Sequence, residues 1–317
     1  MSTTSSPLSK PVLKVEKPGL FTTIQDLGRP GHRAFGVPPC GAMDRFALSA
    51  ANRLVGNPDG AAALECALNG PTLVALEGSL VAVTGADFGM TVNGQAAPTW
   101  TGVYLSAGDQ LAFTSRRSGA RAYIALAGGL AGDRWLGSFS TYLLTGRGGL
   151  GRALRAGDEL ARAAEPPRPT IAGRHLSSRL RPPYGREATL RAVPGPHFAR
   201  VPRSSRPQLW KQPFEVSKDS DRMGYRLVGN PIETTGKDIL SLGLTMGAVQ
   251  LPNSGEPILL MADHQTAGGY PVVLGVARVD LPLAAQLLPG DRLRFAEVKV
   301  AEAQDAWRQL RAALDTI

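Results

Sequence analysis

The chain of 317 residues has little cysteine, few aromatic side chains and no long apolar run. Two cysteines, Cys40 and Cys66, are too few for a disulfide-stabilised scaffold. We expect a reduced cytoplasmic chain, although one disulfide between them stays open. Because no run reaches 18 apolar residues, no membrane span is expected. The first residues lack the apolar core of a secretory signal, and they predict a disordered lead-in at 1–11.

Several catalytic signatures are also missing. The sequence has no Walker loop, no HExxH, no CxxC and no GxSxG, so it does not read as a P-loop NTPase, a zinc protease or a serine hydrolase of the common types. Its four histidines, His32, His175, His197 and His264, are scattered without the spacing of a metal site. We therefore expect no metal ion bound by this chain alone.

The net charge of +9 comes almost entirely from one stretch. Ten arginines and two glutamates fall between residues 161 and 206, and prolines are interleaved among them. No aromatic stacking series or recognised nucleic-acid motif accompanies these arginines. The stretch indicates a solvated linker or a surface that faces a protein partner, and nucleic acid is not an expected partner.

The high content of glycine (37) and proline (25) has no collagen-like period and predicts many turns between short strands. One segment changes to helical spacing, with an apolar face formed by Ala47, Leu48, Ala51, Leu54 and Val55. A second short helix is expected near 282–288 and a third at 300–314. Residues 12–36 are expected to form a strand, a turn and a second strand. Further strands are expected at 72–76, 80–84, 90–92, 103–105, 110–114, 122–127, 189–193, 213–217, 247–251, 257–262, 271–277 and 292–298. The fold class is mainly β with a few helices.

A short turn motif recurs in both halves of the chain. Gly108-Asp109, Gly157-Asp158 and Gly290-Asp291 are each followed by one residue and then leucine. A generic strand entry would explain it, but two related β-rich domains explain it better. The predicted organisation is a first domain at 12–165, an Arg/Pro-rich linker at 166–188, a second domain at 189–298 and a C-terminal helix at 299–317.

The strongest candidate site is a polar loop between two apolar, β-prone runs. Gln250 precedes it, Asp263, His264, Gln265 and Thr266 form its centre, and Gly268, Gly269 and Tyr270 follow. A polar loop held by strands is how a rigid scaffold presents a site, although a hairpin with a glycine turn has the same pattern. His264 is the candidate for proton transfer, or else a loop histidine bound to backbone.

Weaker candidates lie elsewhere. The glycine-rich run 146–152 offers backbone N–H groups and the guanidinium of Arg152 to an anion, unless it is simply a mobile loop. Asp221 and Arg222 either orient a polar substrate or fix a turn. Cys40 either is a nucleophile or is a small packed thiol.

The order of several motifs resembles the KipA family. They are QDLGRPGHRAFGVPPCGAMDRFAL at 25–48, LGSFSTY at 136–142, GGLGRALRAGD at 148–158, SDRMGYRL at 220–227, GAVQLP at 247–252 and ADHQTAGGYP at 262–271. Such proteins are also called biotin-dependent carboxyltransferase-type proteins, allophanate hydrolase subunit 2 or the C subunit of 5-oxoprolinase. The resemblance implies two tandem cyclophilin-like β-barrel subdomains.

The resemblance also implies a function shared with other chains. It implies a subunit of an ATP-dependent 5-oxoprolinase that acts with KipI-type and LamB/YcsF-type subunits. Two alternatives stay open: a carboxyltransferase component of a biotin-dependent urea carboxylase pathway, and a non-catalytic regulator that binds a KipI-like kinase inhibitor. ATP with Mg²⁺ is expected in the assembled complex, and no covalent biotin on this chain.

The roles of individual residues are hypotheses that follow from this resemblance. Asp263, Gln265, Thr266 and His264 are the expected catalytic residues. The expected substrate- or phosphate-binding residues are Gly268, Gly269, Tyr270, Asp221, Arg222, Gln250, Ser138, Ser140 and Arg152. Three further residues are expected to be structural or to hold the site residues in place without touching the substrate: Asp26, Arg29 and Asp44. Relatives usually carry serine in place of Cys40, and many carry arginine in place of Phe139, which weakens the case for an anion at Ser138 and Ser140.

Overall fold

The computed structural model describes residues 10–167, 171–236 and 239–317. The predicted lead-in at 1–11 falls mostly outside these residues, and so do positions 168–170 of the predicted linker. The chain divides into two compact units. The first comprises the residues up to Gly28, the range Arg45–Arg179 and the terminal Ile317, and the second comprises Arg29–Asp44 and Leu180–Thr316.

The first unit is built from short strands and one helix. Its elements are β1 (Pro11–Lys17), β2 (Phe21–Gln25), α1 (Arg45–Leu54), β3 (Ala63–Ala67), β4 (Thr72–Ala75), β5 (Ser79–Asp87), β6 (Met90–Val92), β7 (Gln95–Ala96), β8 (Gly102–Leu105), β9 (Gln110–Phe113), β10 (Ser118–Leu126) and β11 (Glu159–Ala161). One sheet has the strand order β11-β1-β4-β9-β6-β7 and the other β2-β3-β10-β5-β8.

The two sheets of the first unit share one apolar core. Val15 and Leu111 of the six-stranded sheet lie in the same buried cluster as Val81 and Ile124 of the five-stranded sheet. Helix α1 packs on β5 and β10, where the Thr84 hydroxyl donates a hydrogen bond to the Ala47 carbonyl at 2.6 Å. The apolar face predicted for this helix is buried, as its spacing required.

The second unit contains a closed barrel. Its elements are β12 (Glu187–Pro194), α2 (Arg206–Lys211), β13 (Phe214–Val216), β14 (Gly224–Val228), β15 (Leu242–Gly243), β16 (Ala248–Gln250), β17 (Ile258–Leu260), β18 (Ala267–Gly268), β19 (Val272–Val276), α3 (Leu281–Ala285), β20 (Arg292–Glu297) and α4 (Val300–Leu314). The barrel order is β12-β19-β16-β17-β14-β13-β20, and β12 closes it by pairing in parallel with β20. Closure removes the exposed sheet edges that invite aggregation.

The barrel core receives a side chain from far away in the sequence. Phe214 and Phe295 pack with their ring centroids 5.7 Å apart inside the barrel, and Val249 and Leu259 lie in the same cluster. Met43, from the segment Arg29–Asp44, is fully buried among them. The sequence did not indicate that this segment belongs to the second unit.

The recurring Gly-Asp turn has the same geometry in both units. In each copy the glycine adopts a positive φ near 90°, and the aspartate carboxylate accepts the backbone N–H three residues earlier. Because a side chain with a Cβ is strained at this φ, glycine is the natural residue there. The prediction of a mainly β fold with a few helices is confirmed. The predicted domain boundaries stay predictions.

Candidate functional site

Two neighbouring barrel strands bring Arg222 and Asp263 together. Strand β14 begins at Gly224 beside Leu260 at the end of β17, since the two strands are antiparallel. The ladder continues past both strand ends, where the Asp263 N–H donates to the Arg222 carbonyl at 2.9 Å. Residues 41 positions apart in sequence are thereby fixed opposite each other at one end of the barrel.

The side chains of Arg222 and Asp263 form a bidentate ion pair. Arg222 Nε lies 2.8 Å from Asp263 Oδ2, and Nη2 lies 3.0 Å from Oδ1. Their side chains keep 14% and 13% of their accessible surface. A pair this little exposed is weakly screened by dissolved ions, although each side chain keeps a small accessible surface. The predicted loop therefore holds a carboxylate in a fixed orientation.

The segment before α1 lies directly against this pair. Arg222 Nη2 also donates to the Gly41 carbonyl at 2.7 Å. Cys40 is fully buried with a φ of 54°, which a residue other than glycine rarely adopts. Its thiol is hydrogen-bonded to Asp263. Strained backbone of this kind persists only where the surroundings determine it fully.

The environment of Cys40 keeps it protonated. Burial and then the negative charge of Asp263 raise the pKa of Cys40 to about 12, although the positive charges of Arg29 and Arg222 act in the opposite direction. A thiol at neutral pH is a poor nucleophile and a hydrogen-bond donor. The structure thus favours the packed thiol over the nucleophile.

We predict that native Cys40 resists alkylation. At pH 8 a thiol of pKa about 12 has about 1000-fold less thiolate than one of pKa 9, so iodoacetamide should label Cys40 at least that much more slowly than the unfolded chain. Peptide mass spectrometry before and after denaturation measures this rate. Labelling of native Cys40 at the rate of a free thiol would contradict the assignment.

An amide cluster lies beside the loop. Gln250, at the end of β16, is buried, and its Oε1 accepts Nε2 of the exposed Gln265 at 3.3 Å. A Cβ at Gly268 would meet the Gln250 and Gln265 amide nitrogens at 3.1 and 3.4 Å. Glycine at 268 therefore leaves room for the two side chains to pair, and Gln265 faces solvent.

The other loop residues make backbone contacts. The Thr266 carbonyl accepts the Leu244 N–H at 2.9 Å, and the Gly269 carbonyl accepts the Ile239 N–H at 3.2 Å. Tyr270 is exposed. The predicted roles of Thr266, Gly269 and Tyr270 stay predictions.

The structure places the His264 ring against backbone, and its predicted role in proton transfer stays a prediction. Its ring is buried, and Nδ1 lies 2.7 Å from the Gln265 carbonyl. A carbonyl can only accept, so this nitrogen carries a proton that is already donated. His264 therefore fixes the backbone of the loop, which was the alternative left open by the sequence.

Asp221 also has a structural role. Its Oδ1 accepts the N–H groups of Met223 at 2.7 Å and Gly224 at 3.2 Å. The carboxylate thus closes the turn that starts β14, an Asx-type arrangement. The hypothesis that Asp221 orients a substrate stays a hypothesis, and Arg222 next to it contacts Asp263.

Ser138 and Ser140 belong to a buried network in the first unit. Both hydroxyls donate to Asp26 Oδ1 at 2.6 Å, and the Phe139 N–H donates to Oδ2 at 2.7 Å. The serines are fully buried, so their hydroxyl protons are not available to a ligand. These contacts fix the loop that follows Leu136, and the predicted binding of substrate by the two serines stays a prediction.

The two arginines of the glycine-rich run 146–152 form ion pairs with aspartates of the same unit. Arg152 forms two hydrogen bonds of 2.8 Å with Asp158, and Arg147 bonds Asp133 at 2.7 Å. Both guanidinium groups already have a carboxylate partner. The predicted phosphate-binding role of Arg152 stays a prediction.

Arg29 and Asp44 flank the Cys40 segment in the second unit. Arg29 is buried, its N–H donates to the Pro39 carbonyl at 2.7 Å, and its charge lowers the pKa of Cys40. Asp44 Oδ2 accepts the Tyr184 hydroxyl at 2.6 Å and the Gln286 amide at 3.0 Å. Their supporting roles stay hypotheses.

The contact of Cys40 and Gly41 with the ion pair was missed from the sequence. The only signal was the resemblance of the 25–48 segment to its family motif, because no local pattern links Gly41 to Arg222, 181 positions later. In the described ranges, no helix combines the length and apolar composition needed to cross a bilayer. Nor do three or more His, Cys, Asp or Glu side chains of those ranges gather as a metal-binding group.

Comparisons with known proteins agree on one family. The chain is 38% identical to the C subunit of 5-oxoprolinase from Escherichia coli, over 93% of this chain and 94% of that protein. It is 36% identical to the C subunit of 5-oxoprolinase from Haemophilus influenzae, with the same coverage of both chains.

Solved structures give the same fold. Urea amidolyase and urea carboxylase of Kluyveromyces lactis each superpose with a TM-score of 0.91 over 98% of this chain, at 27% identity. This chain spans only 20% and 29% of those two larger proteins. Residues 35–297 match the model of the family described as carboxyltransferase domain, subdomain A and B. The chain belongs to this carboxyltransferase-domain family.

Proposed function

We propose that this chain is a subunit of an ATP-dependent 5-oxoprolinase complex, which opens 5-oxoproline to glutamate. The observation that carries the proposal is the match to the C subunit of 5-oxoprolinase from two bacteria, along nearly the whole length of both partners. We expect this complex in the cytoplasm, where ATP is available.

The reaction explains why ATP is needed. The lactam of 5-oxoproline is stabilised by resonance, and phosphorylation of its oxygen gives a better electrophile. An enzyme for this step mainly positions the reactants and stabilises charge around the phosphoryl group. The groups that this chain offers are the carboxylate of Asp263, which is paired with the Arg222 guanidinium, and the exposed amide of Gln265.

These groups suit the lactam better than the nucleotide. Asp263 is held by two guanidinium bonds and the Cys40 thiol, so it is a rigid acceptor for a substrate N–H. Gln265 is oriented by Gln250 and offers an amide on the solvent side. The arginines of the glycine-rich run are already paired with aspartates, and no Walker loop exists. We therefore place ATP and Mg²⁺ on a companion subunit and assign lactam positioning to this chain.

We propose that the companions are a KipI-type and a LamB/YcsF-type subunit, and that this chain is active only with them. Reconstitution tests the proposal. The three purified subunits together should hydrolyse ATP in proportion to 5-oxoproline and release glutamate. Omission of this chain should reduce that turnover to background. Undiminished 5-oxoproline-dependent turnover without this chain would refute the proposal.

Carboxyl transfer from carboxybiotin is the second candidate. It is favoured by the family description and by the TM-score of 0.91 to urea carboxylase. This chain has no Ala-Met-Lys-Met attachment segment, so biotin would come from another protein. A biotinylated carrier that loses its carboxyl group to urea only when this chain is added would favour this candidate.

A further inference from the structure

A closed loop of the second unit, residues 29–39, carries an arginine in its middle, and we name it the Arg33 loop. The Arg29 N–H donates to the Pro39 carbonyl at 2.7 Å and closes the loop at its base. In the middle, Arg33–Phe35 form one turn of 3₁₀-helix, and the Gly36 N–H donates to the Arg33 carbonyl at 3.0 Å. The backbone that carries the arginine is thus held by hydrogen bonds at two places.

One residue, Leu244, joins the Arg33 side chain to the polar loop of the candidate site. Arg33 Nη1 donates to the Leu244 carbonyl at 2.8 Å. The Leu244 N–H in turn donates to the Thr266 carbonyl at 2.9 Å. Leu244 Cδ1 and Gln265 Nε2 both lie within 3.4 Å of the position that a Cβ on Gly268 would take. The guanidinium is therefore anchored next to the loop that carries the exposed Gln265 amide.

Arg33 also keeps its charge and most of its donors. The side chain is exposed, and it forms no ion pair with a carboxylate of residues 10–167, 171–236 or 239–317. A guanidinium has five N–H groups, and the Leu244 carbonyl accepts only one of them. Arg222, by contrast, is engaged by both carboxylate oxygens of Asp263 and by the Gly41 carbonyl. An added anion would therefore find its donors on Arg33.

We propose that Arg33 binds the carboxylate of 5-oxoproline and so selects an acidic lactam as the substrate. The inference rests on the proposed function, which supplies that substrate. The carboxyl group of 5-oxoproline is ionised at neutral pH. The charges of Asp263 and Arg222 cancel each other, so the substrate carboxylate needs a separate cation. Arg33 supplies this cation, and a guanidinium can bind both carboxylate oxygens at once.

This assignment separates the two candidate functions by their substrates. Urea has no carboxylate and gains nothing from an arginine of this kind. A lactam acid gains a charge-assisted pair of hydrogen bonds, which are stronger than bonds between neutral groups. Arg33 thus favours 5-oxoproline over urea as the substrate of this chain.

The experiment measures binding separately from turnover. The full-length chain, assembled with its KipI-type and LamB/YcsF-type companions, is titrated in a calorimeter without ATP. One ligand is 5-oxoproline, and the other is 5-oxoprolinamide, which has the same ring but a neutral group in place of the carboxylate. The variants are Arg33→Gln and Arg33→Lys, with Arg294→Gln as the matched control. Arg294 is also exposed in the second unit, but it lies on β20.

Arg33→Gln should weaken the binding of 5-oxoproline about 50-fold, because the charge-assisted pair is lost. It should bind the amide within about threefold of the wild type, since the amide has no charge to be neutralised. Arg33→Lys should weaken the binding of 5-oxoproline about tenfold, because lysine keeps the charge but cannot form two parallel bonds. Arg294→Gln should stay within about twofold of the wild type. Thermal unfolding of each variant shows that it is folded.

Unchanged binding of 5-oxoproline to Arg33→Gln would overturn the proposal. An equal loss for the acid and the amide would also overturn it, because Arg33 would then act only by holding Leu244. A wild-type complex that does not bind 5-oxoproline would overturn both this proposal and the proposed function. If binding depends on Arg33 but no 5-oxoproline-dependent ATP turnover follows, the carboxylate site stands and the proposed function fails. If Arg33→Gln binds and turns over 5-oxoproline normally, the proposed function stands and Arg33 has no part in it.

Discussion

Asp263→Asn should lower the 5-oxoproline-dependent ATP turnover of the assembled complex by at least about 100-fold. The variant keeps the shape of the side chain but replaces one acceptor oxygen with a donor. That NH₂ group then faces the Arg222 guanidinium, which Asp263 accepts at 2.8 and 3.0 Å. The negative charge is lost, and only one of the two side-chain oxygens remains to accept a hydrogen bond from the guanidinium.

The control for this prediction is Asp221→Asn, three residues before β14 begins. Its carboxylate accepts only two turn N–H groups and is exposed, so turnover should change less than about threefold. Arg222→Lys tests the pairing, since lysine keeps the charge but cannot form the two parallel bonds. It should lie between the wild type and Asp263→Asn. Normal turnover of a folded, assembled Asp263→Asn complex would remove this residue from the site.

Asp26→Ala should destabilise the first unit by about 3–5 kcal/mol. The substitution removes the acceptor of four donors at once: the hydroxyls of Ser138 and Ser140 and the N–H groups of Gly28 and Phe139. Both serine side chains are fully buried, so water cannot replace the carboxylate without opening the loop. Urea denaturation followed by circular dichroism measures the loss.

Asp87→Ala is the matched control in the same unit. Its carboxylate accepts the Gly89 N–H, lies 3.7 Å from the exposed Arg117 guanidinium and is 38% exposed, so a loss below about 1 kcal/mol is expected. Ser138→Ala should fall between the two variants. Equal stability of Asp26→Ala and the wild type would mean that this network does not hold the loop.

Much of the fold follows from local patterns. The helices at 45–54 and 300–314 and most of the strands are predicted from apolar periodicity, and each Gly-Asp turn precedes a strand. Strands β3, β7, β11, β14, β15 and β18 were not predicted. Strand β14 starts inside the SDRMG segment, whose Ser, Asp and Gly read as turn residues, and only its pairing with β13 and β17 makes it a strand.

The roles of the site residues are harder to predict than the strands, because they too depend on the folded chain. Ser138, Ser140 and Asp221 have the residue types of ligand-binding groups, but buried networks and turns use the same hydroxyls and carboxylates. For the two serines the use depends on burial, and for the exposed Asp221 it depends on the turn that its carboxylate closes. Both are properties of the folded chain. Asp263 and Arg222 were both proposed, but their pairing came from strand register, which sequence spacing did not reveal.

The placement of Met43 in the barrel core constrains how the polypeptide is made and divided. During synthesis the segment Arg29–Asp44 leaves the ribosome long before β12 to β20 exist, so the residues that bury Met43 are absent when it is made. A fragment cut at the linker would leave a vacancy among Val249 and Leu259 where the thioether belongs. The barrel is therefore encoded by two separated stretches of the gene, and it is not a module that can be excised or swapped by a single cut.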